Sequence, residues 1–221
     1  PVPTRSRVFR TSGQVILRSE RLLATFDAGP FGFGSLAAHA HCDALAVNVA
    51  IDGKPLLVDR GTYRYNGDRA ARDRYRMTAV HNTVQLDSRE QGEPAGPFLW
   101  RRTPNGTLER GDLSEDGDIA VATHDGFAPA THRRTLVRRG DGLEIVDEVS
   151  GPVTELCARF HLAPDIEIDR TWTMNNGWRI EVTDGRAELV QAMHSDRYGS
   201  ERPAQTVEVR SSRRISVRIG R

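Results

Sequence analysis

Apolar and polar residues alternate with period two along most of the chain, in short runs broken by turn-forming pairs. Leu143-Glu144-Ile145-Val146-Asp147 and Ile215-Ser216-Val217-Arg218-Ile219 carry the alternation of strands with one buried face. Similar runs occupy residues 15–18, 22–26, 119–123, 135–138, 156–162, 178–182, 187–190 and 207–209. Asp52-Gly53, Asn105-Gly106, Asp141-Gly142, Asn176-Gly177 and Asp184-Gly185 are hairpin signals, because Gly supplies the positive φ that tight turns need. Only residues 69–77 read as a helix or a polar surface loop. Many short strands with regular turns predict an all-β fold, an antiparallel sandwich or barrel. At 221 residues the chain is read as one domain, 1–221.

One run differs from the rest. Ala38-His39-Ala40-His41-Cys42-Asp43-Ala44 places polar residues at every second position, then continues as a mostly apolar stretch to Ile51. Read as a strand, it puts His39, His41 and Asp43 on one face and Ala40, Cys42 and Ala44 on the other. A helix would turn His41 about 200° away from the other two. A second strand, residues 56–58, ends at Asp59, and a third, residues 79–86, alternates so that His81 shares a face with Thr83 and Gln85. Two histidines and one aspartate suit Zn²⁺ with a fourth position open. His39 or His41 can join Asp59 and His81 in such a set, and Asp43 can stand in for Asp59. Asp43 is also placed to support the site, two residues along from His41, by accepting an imidazole N–H and fixing its tautomer.

Composition narrows the partners. A net charge of +1 gives no broad field for nucleic acid. Basic residues are nearly all arginine, which suits carboxylate and sulfate ligands. No window is long and apolar enough to span a membrane, and no signal-peptide pattern opens the sequence. Pro1-Val2-Pro3 reads as a cut point in something longer. Cys42 and Cys157 do not set a compartment, and parity makes Cys42 a small core residue. His124, His132 and His194 are expected in solvent near strand or loop ends, and His161 in a structural role on a strand. Arg72, Arg74 and Arg76, interleaved with Tyr75, form either an anionic-sugar surface or a solvated loop. No serine sits in a nucleophile elbow. The glycine-rich residues 29–34 contain Pro30 and lead into the histidine run, so they are not a dinucleotide fingerprint.

Four segments in this order resemble one family: Phe26-Asp27-Ala28-Gly29-Pro30, His39-Ala40-His41-Cys42-Asp43-Ala44-Leu45, Leu56-Leu57-Val58-Asp59-Arg60-Gly61-Thr62-Tyr63 and Thr78-Ala79-Val80-His81-Asn82-Thr83-Val84. They are similar to the C-terminal domain of heparinase II/III-like polysaccharide lyases, and residues 134–151 and Phe160-His161-Leu162 fit as well. The resemblance covers roughly residues 12–165. It implies a large antiparallel β-sandwich of the supersandwich kind, on which an N-terminal helical toroid packs. The cleft between them would hold an acidic polysaccharide, a glycosaminoglycan or alginate, for cleavage by β-elimination. It implies that His39 is the catalytic histidine of the sandwich, that His41, Asp59 and His81 bind a metal, commonly zinc in a structural role, and that the protein is periplasmic or secreted. The family's tyrosine acid/base and its Asn or His come from the toroid, which this chain does not contain. Three positions depart from the family: Arg60 replaces proline, Cys42 a smaller residue, and Ala163 a histidine.

Two other readings compete. His41-x-Asp43 with His81 would make a facial triad for a non-haem iron oxygenase, although no glutamate follows the pair as a cupin-type motif requires. A non-catalytic carbohydrate-binding sandwich stabilised by metal is the other.

Overall fold

The computed structural model describes residues 5–34 and 37–221, so the cut-point reading of Pro1-Val2-Pro3 lies outside the described residues. The chain opens with strands β1 (Arg7–Phe9), β2 (Gln14–Arg18), β3 (Leu22–Asp27), β4 (Val47–Ile51) and β5 (Lys54–Leu57), paired in sequence order as one antiparallel sheet. Helix α1 (Arg69–Arg74) and a 3₁₀ turn (Thr78–Val80) follow, then β6 (Val84–Leu86) and a hairpin of β7 (Glu93–Gly96) and β8 (Leu99–Arg102). The second half holds β9 (Gly106–Leu113), β10 (Asp118–His124), β11 (Thr131–Arg139), β12 (Gly142–Ser150), β13 (Leu156–His161), β14 (Arg179–Asp184), β15 (Arg186–Arg197), β16 (Ser200–Ser211) and β17 (Arg214–Gly220). These form a six-stranded sheet in the order β14-β17-β12-β11-β10-β9 and a four-stranded sheet in the order β15-β16-β13-β6. All strand pairs are antiparallel, as the alternation predicts.

The first and third sheets meet where Leu57 bridges Leu162, with the Val58 N–H donating to the His161 carbonyl and the Ala163 N–H to that of Leu56. Their apolar faces and that of the six-stranded sheet enclose one core, with Leu17, Phe26, Val47, Leu136, Ile145, Phe160 and Val217 all buried in it. The strict alternation of burial in β2, β3, β11 and β12 is the sequence periodicity made physical.

Asp52-Gly53, both with positive φ, closes the β4–β5 hairpin, and Asp141 sits in the turn joining β11 to β12. Asp184-Gly185 is not a hairpin: β14 and β15 lie in different sheets, and the pair turns the chain from one to the other. Asn105-Gly106 is likewise the start of β9 rather than a tight turn.

The largest correction concerns residues 38–46. They are not a strand; pairing begins at Val47. A turn closed by the Ala46 N–H on the Asp43 carbonyl puts Leu45 in the left-handed region at φ 59°. Its end is tied to β3 by two backbone bonds, the Leu45 N–H donating to the Asp27 carbonyl and the Asp27 N–H to that of Ala46, and the Cys42 N–H donates to the Arg76 carbonyl; side chains satisfy Ala44. Gln91 bonds both the N–H and the carbonyl of Ala44, at 3.0 and 3.1 Å, and the Thr83 hydroxyl donates to the same carbonyl at 2.7 Å. Residues 79–86 also break from the reading: a 3₁₀ turn ends at Val80 and only residues 84–86 are strand, with every residue from Val80 to Leu86 buried.

Inward positions of β11 carry His132, Arg134, Leu136 and Arg138, and those of β12 carry Leu143, Ile145, Asp147 and Val149. Arg134 lies directly across from Asp147, and its Nε and Nη2 donate to the two carboxylate oxygens at 2.7 and 2.9 Å. The His132 Nε2–H donates to Asp147 Oδ1 at 2.7 Å, and His132 Nδ1 lies 3.1 Å from His124 Nε2. The Gly126 N–H donates to His124 Nδ1, so the His124 proton is on Nε2 and points at His132. Each imidazole is thus satisfied in its neutral form, and His124 and His132 are buried rather than solvated as the sequence suggested. His194, also expected in solvent, is instead partly buried; Cys42 and His161 are buried, as expected.

This network predicts acid sensitivity. Burial lowers the pKa of His124 and His132, His124 most, with its neighbour His132 adding to the effect. Burial opposes ionisation of Asp147, but Arg134 and His132 hold it well below the usual carboxylate range. The unfolded chain therefore takes up protons on both histidines as pH falls through about 6.5, while the folded chain does not. Their stabilisation is complete above that pH and is lost below it, by roughly 2–3 kcal/mol per pH unit at most. The Asp147 contribution is lost at lower pH, below its unfolded value of about 4. Urea midpoints should fall steadily from about pH 6.5 to 5; a flat profile across that window contradicts the assignment.

Candidate functional site

Three separate segments build the site. The 38–46 loop brings His39 and His41, the turn after β5 brings Asp59, and the residue after the 3₁₀ turn is His81. His81 is completely buried and its Nδ1 lies 2.5 Å from Asp59 Oδ2. Asp59 Oδ1 accepts the Gly61 N–H at 2.8 Å. The His41 ring sits 5.2 Å from that of His81, centroid to centroid. The structure therefore brings together His41, Asp59 and His81.

Asn82 fixes the spacing between segments. Its side-chain amide donates to the Val58 carbonyl, one residue before Asp59, and its oxygen accepts the His161 N–H at 2.6 Å. Arg134 reaches up from the six-stranded sheet, donating through Nη1 to the Leu45 carbonyl at 2.8 Å and the Asn82 carbonyl at 2.6 Å. The buried ion pair thus braces both histidine-bearing segments at once. Gly61, at φ 85°, lies so close to the Ser195 carbonyl that a Cβ would approach it to 1.9 Å, which locks the Asp59 turn against β15.

Electrostatics follow from this packing. Burial pushes His41 down to about 3, with His81 adding to the effect. Burial works against ionisation of Asp59, but the charge and hydrogen bond of His81 outweigh it and bring Asp59 to about 2. The same pair raises His81 against its own burial. Burial raises Asp43 to about 6. Among the described residues the Asp43 carboxylate makes no hydrogen bond to an imidazole; Asp59 makes it instead.

His39 is different in kind. It is exposed, at the rim, with its ring edge-on to Tyr65 at 5.5 Å and tilted on Phe98 at 5.6 Å. Arg72 packs over both of those rings, at 4.9 and 5.0 Å. Tyr65 stacks on Tyr198, at the tip of the β15–β16 hairpin. The expected arginine surface is only partly one: Arg74 is exposed, whereas Arg72 and Arg76 are buried and bond the carbonyls of Gly96 and Pro97 in the β7–β8 turn. The polar residues of 38–43 do not share a face as a strand would require, since His39 is exposed while His41 and Asp43 are half-buried.

For a metal, the donor set is two imidazoles and one carboxylate. Among the described residues no three such side chains converge closely enough to hold an ion as they stand. Yet His81 Nε2 is buried without any partner, while Asp59 occupies Nδ1. An imidazole oriented by a carboxylate on one nitrogen and left open on the other is the arrangement that metal-binding histidines use. The donor types suit zinc, and for Asp59 to be a ligand itself its carboxylate would have to turn away from His81 Nδ1.

Sequence reasoning missed Arg134, Asp147, His132, His124 and Gln91. Parity carried the signal for the first three: each shares a face with Leu136 or Ile145 in a strand that is otherwise apolar inside.

Among the described residues no helix is long and apolar enough to cross a membrane. No curated protein matches the chain at a significant level. Solved structures share its fold. The heparan sulfate lyase HepC from Pedobacter heparinus matches at TM-score 0.79 and 18% identity, over 100% of this chain and 37% of that one. A heparinase III gene product with methylated lysines matches at TM-score 0.78 and 21% identity, over 99% and 36%. Another heparinase III matches at TM-score 0.78 and 15% identity, over 99% and 37%. The chain thus spans little more than a third of the length of these proteins. The family model described as heparinase II/III-like, C-terminal, matches residues 1–219, and the chain belongs to that family.

Proposed function

We propose that this domain forms one wall of the active cleft in a longer polysaccharide lyase, which cleaves uronic-acid-containing chains by β-elimination. The observation that carries the reading is His39: an exposed imidazole held by aromatic rings at the rim of a site whose other polar groups are buried. β-Elimination removes the proton from the uronate carbon beside the carboxylate. The electron pair of that C–H bond becomes the new carbon–carbon double bond, and the glycosidic oxygen leaves with a proton from an acid. The carbon acid is weak, so charge gathering on the carboxylate needs a positioned donor or cation. His39 would hold or move a proton there. Tyr65 and Phe98 restrict its ring, and Arg72 packs behind both. The acid and the rest of the cleft would come from an N-terminal helical toroid.

His41, Asp59 and His81 would hold a zinc ion. When bound, it would cross-link three segments that are distant in sequence and stiffen the floor beneath His39. Asp43, half-buried and within electrostatic reach of His81, would support the site through its charge. The purified chain is expected to carry about one zinc. Elemental analysis finding no metal in protein never exposed to chelator would overturn this part of the reading. The lyase reading is tested by ultraviolet absorbance of unsaturated uronate products. The full-length protein should release them from a heparan-like, hyaluronan-like or alginate-like chain, and the isolated domain should release none. A carbohydrate-binding role alone predicts no product from either.

A further inference from the structure

The outer face of the four-stranded sheet carries a pocket of about 420 Å³ that plays no part in the reading above. Arg159 and His161 from β13, Thr206 and Glu208 from β16, Arg74 from the end of α1 and Arg60 from the Asp59 turn all line it. Its charges do not cancel. Arg159 pairs with Glu208 at 2.8 Å, and Arg210 takes the second oxygen of the same carboxylate at 2.6 Å. Arg74 pairs with Glu201 at 2.9 Å. Arg60 has no carboxylate partner among the described residues; its Nε donates to the Met193 carbonyl at 2.6 Å. A half-buried guanidinium without a counter-charge carries a desolvation cost that an anion would offset.

A second observation points the same way. His161 is 2% exposed, and its Nε2 has no partner. Its Nδ1 lies 2.7 Å from the Thr206 hydroxyl, and burial, with Arg60 nearby, keeps the ring neutral. If the hydroxyl donates to Nδ1, the ring proton sits on Nε2 as a donor without an acceptor. A buried donor left unpaired is costly and marks a place where a ligand atom belongs.

We propose that Arg60, Arg159 and His161 form an oxyanion-binding pocket that takes a sulfate or carboxylate group. The Arg60 Nη groups, the Arg159 nitrogen left over from its bonds to Glu208 and Gln85, and one imidazole N–H would supply charge-assisted donors to planar or tetrahedral oxygens. The inference rests on residues separate from His39, and its failure would leave the elimination reading standing.

The test follows the histidine imidazole resonances of the whole chain by NMR during titration with sodium sulfate, at ionic strength held constant with chloride. The His161 Nε2 signal should shift saturably, and Arg60→Gln should weaken binding by about tenfold or more. Arg60→Lys, which keeps the charge but not the fork, should fall between the two. A sulfated disaccharide and acetate as parallel probes separate the sources. Tighter binding of the disaccharide than of inorganic sulfate assigns the pocket to a substituent on a sugar chain; equal binding assigns it to a free ion. No saturable shift of His161 with any of the three probes, or an affinity unchanged in Arg60→Gln, would overturn the proposal.

Discussion

Replacing Arg134 with methionine is expected to destabilise the domain by about 3–5 kcal/mol, a large part of the 5–15 kcal/mol typical of folded domains. The reason is local and double. Asp147 would remain fully buried with only the His132 N–H to meet its charge. The Leu45 carbonyl would lose its Arg134 donor, and the Asn82 carbonyl would keep only the Val47 N–H at 3.2 Å. A buried ion pair broken on one side costs far more than one removed on both. The double variant Arg134→Met with Asp147→Leu should therefore be more stable than Arg134→Met alone, in spite of carrying more changes. Urea unfolding of the two variants and the parent decides this. A single variant within about 0.5 kcal/mol of the parent would show that the pair does not brace the site. Because Arg134 holds the carbonyls of two site-bearing segments, its loss should also broaden the imidazole signals of His41 and His81.

What the sequence revealed of this architecture depended on whether a segment is stabilised by its own pattern or by distant side chains. In β12 burial alternates because one face meets the core and the other meets water; β17 carries the same sequence alternation but buries Ser216 as well. Asp52-Gly53 is legible because both residues need positive φ. The 38–46 loop alternates too, but for another reason. Its backbone is bonded by the end of β3 at Asp27, by the Arg76 carbonyl and by the side chains of Gln91, Thr83 and Arg134, with no strand ladder along it, so period two there is a coincidence of spacing and not a pleat. The strand reading put His39 and His41 on a shared face; the loop instead sends one to the rim and half-buries the other. Residues alone left open which carboxylate would serve the histidines. The resemblance pointed to Asp59, and the fold places that carboxylate against His81. His124 and His132 were misjudged because strand ends are usually wet, whereas these ends point into the sandwich and find each other across the β10–β11 register.

Replacing His39 with alanine should silence the full-length enzyme while leaving the fold intact. His39 is exposed, and its contacts with Tyr65 and Phe98 are edge contacts at the rim, so the loss of stability should stay within about 0.5 kcal/mol. Loss of a positioned proton-transfer group costs about 10²–10⁴ in rate. No neighbour can replace it, since His41 is held neutral by burial and His81 is engaged with Asp59. The decisive measurement is the rate of unsaturated uronate formation by the full-length protein and its His39→Ala variant, on whichever polysaccharide the parent cleaves, with melting temperatures recorded alongside. The account predicts a rate lowered at least about a hundredfold at an unchanged melting temperature. Full activity in His39→Ala would contradict it and place the chemistry elsewhere.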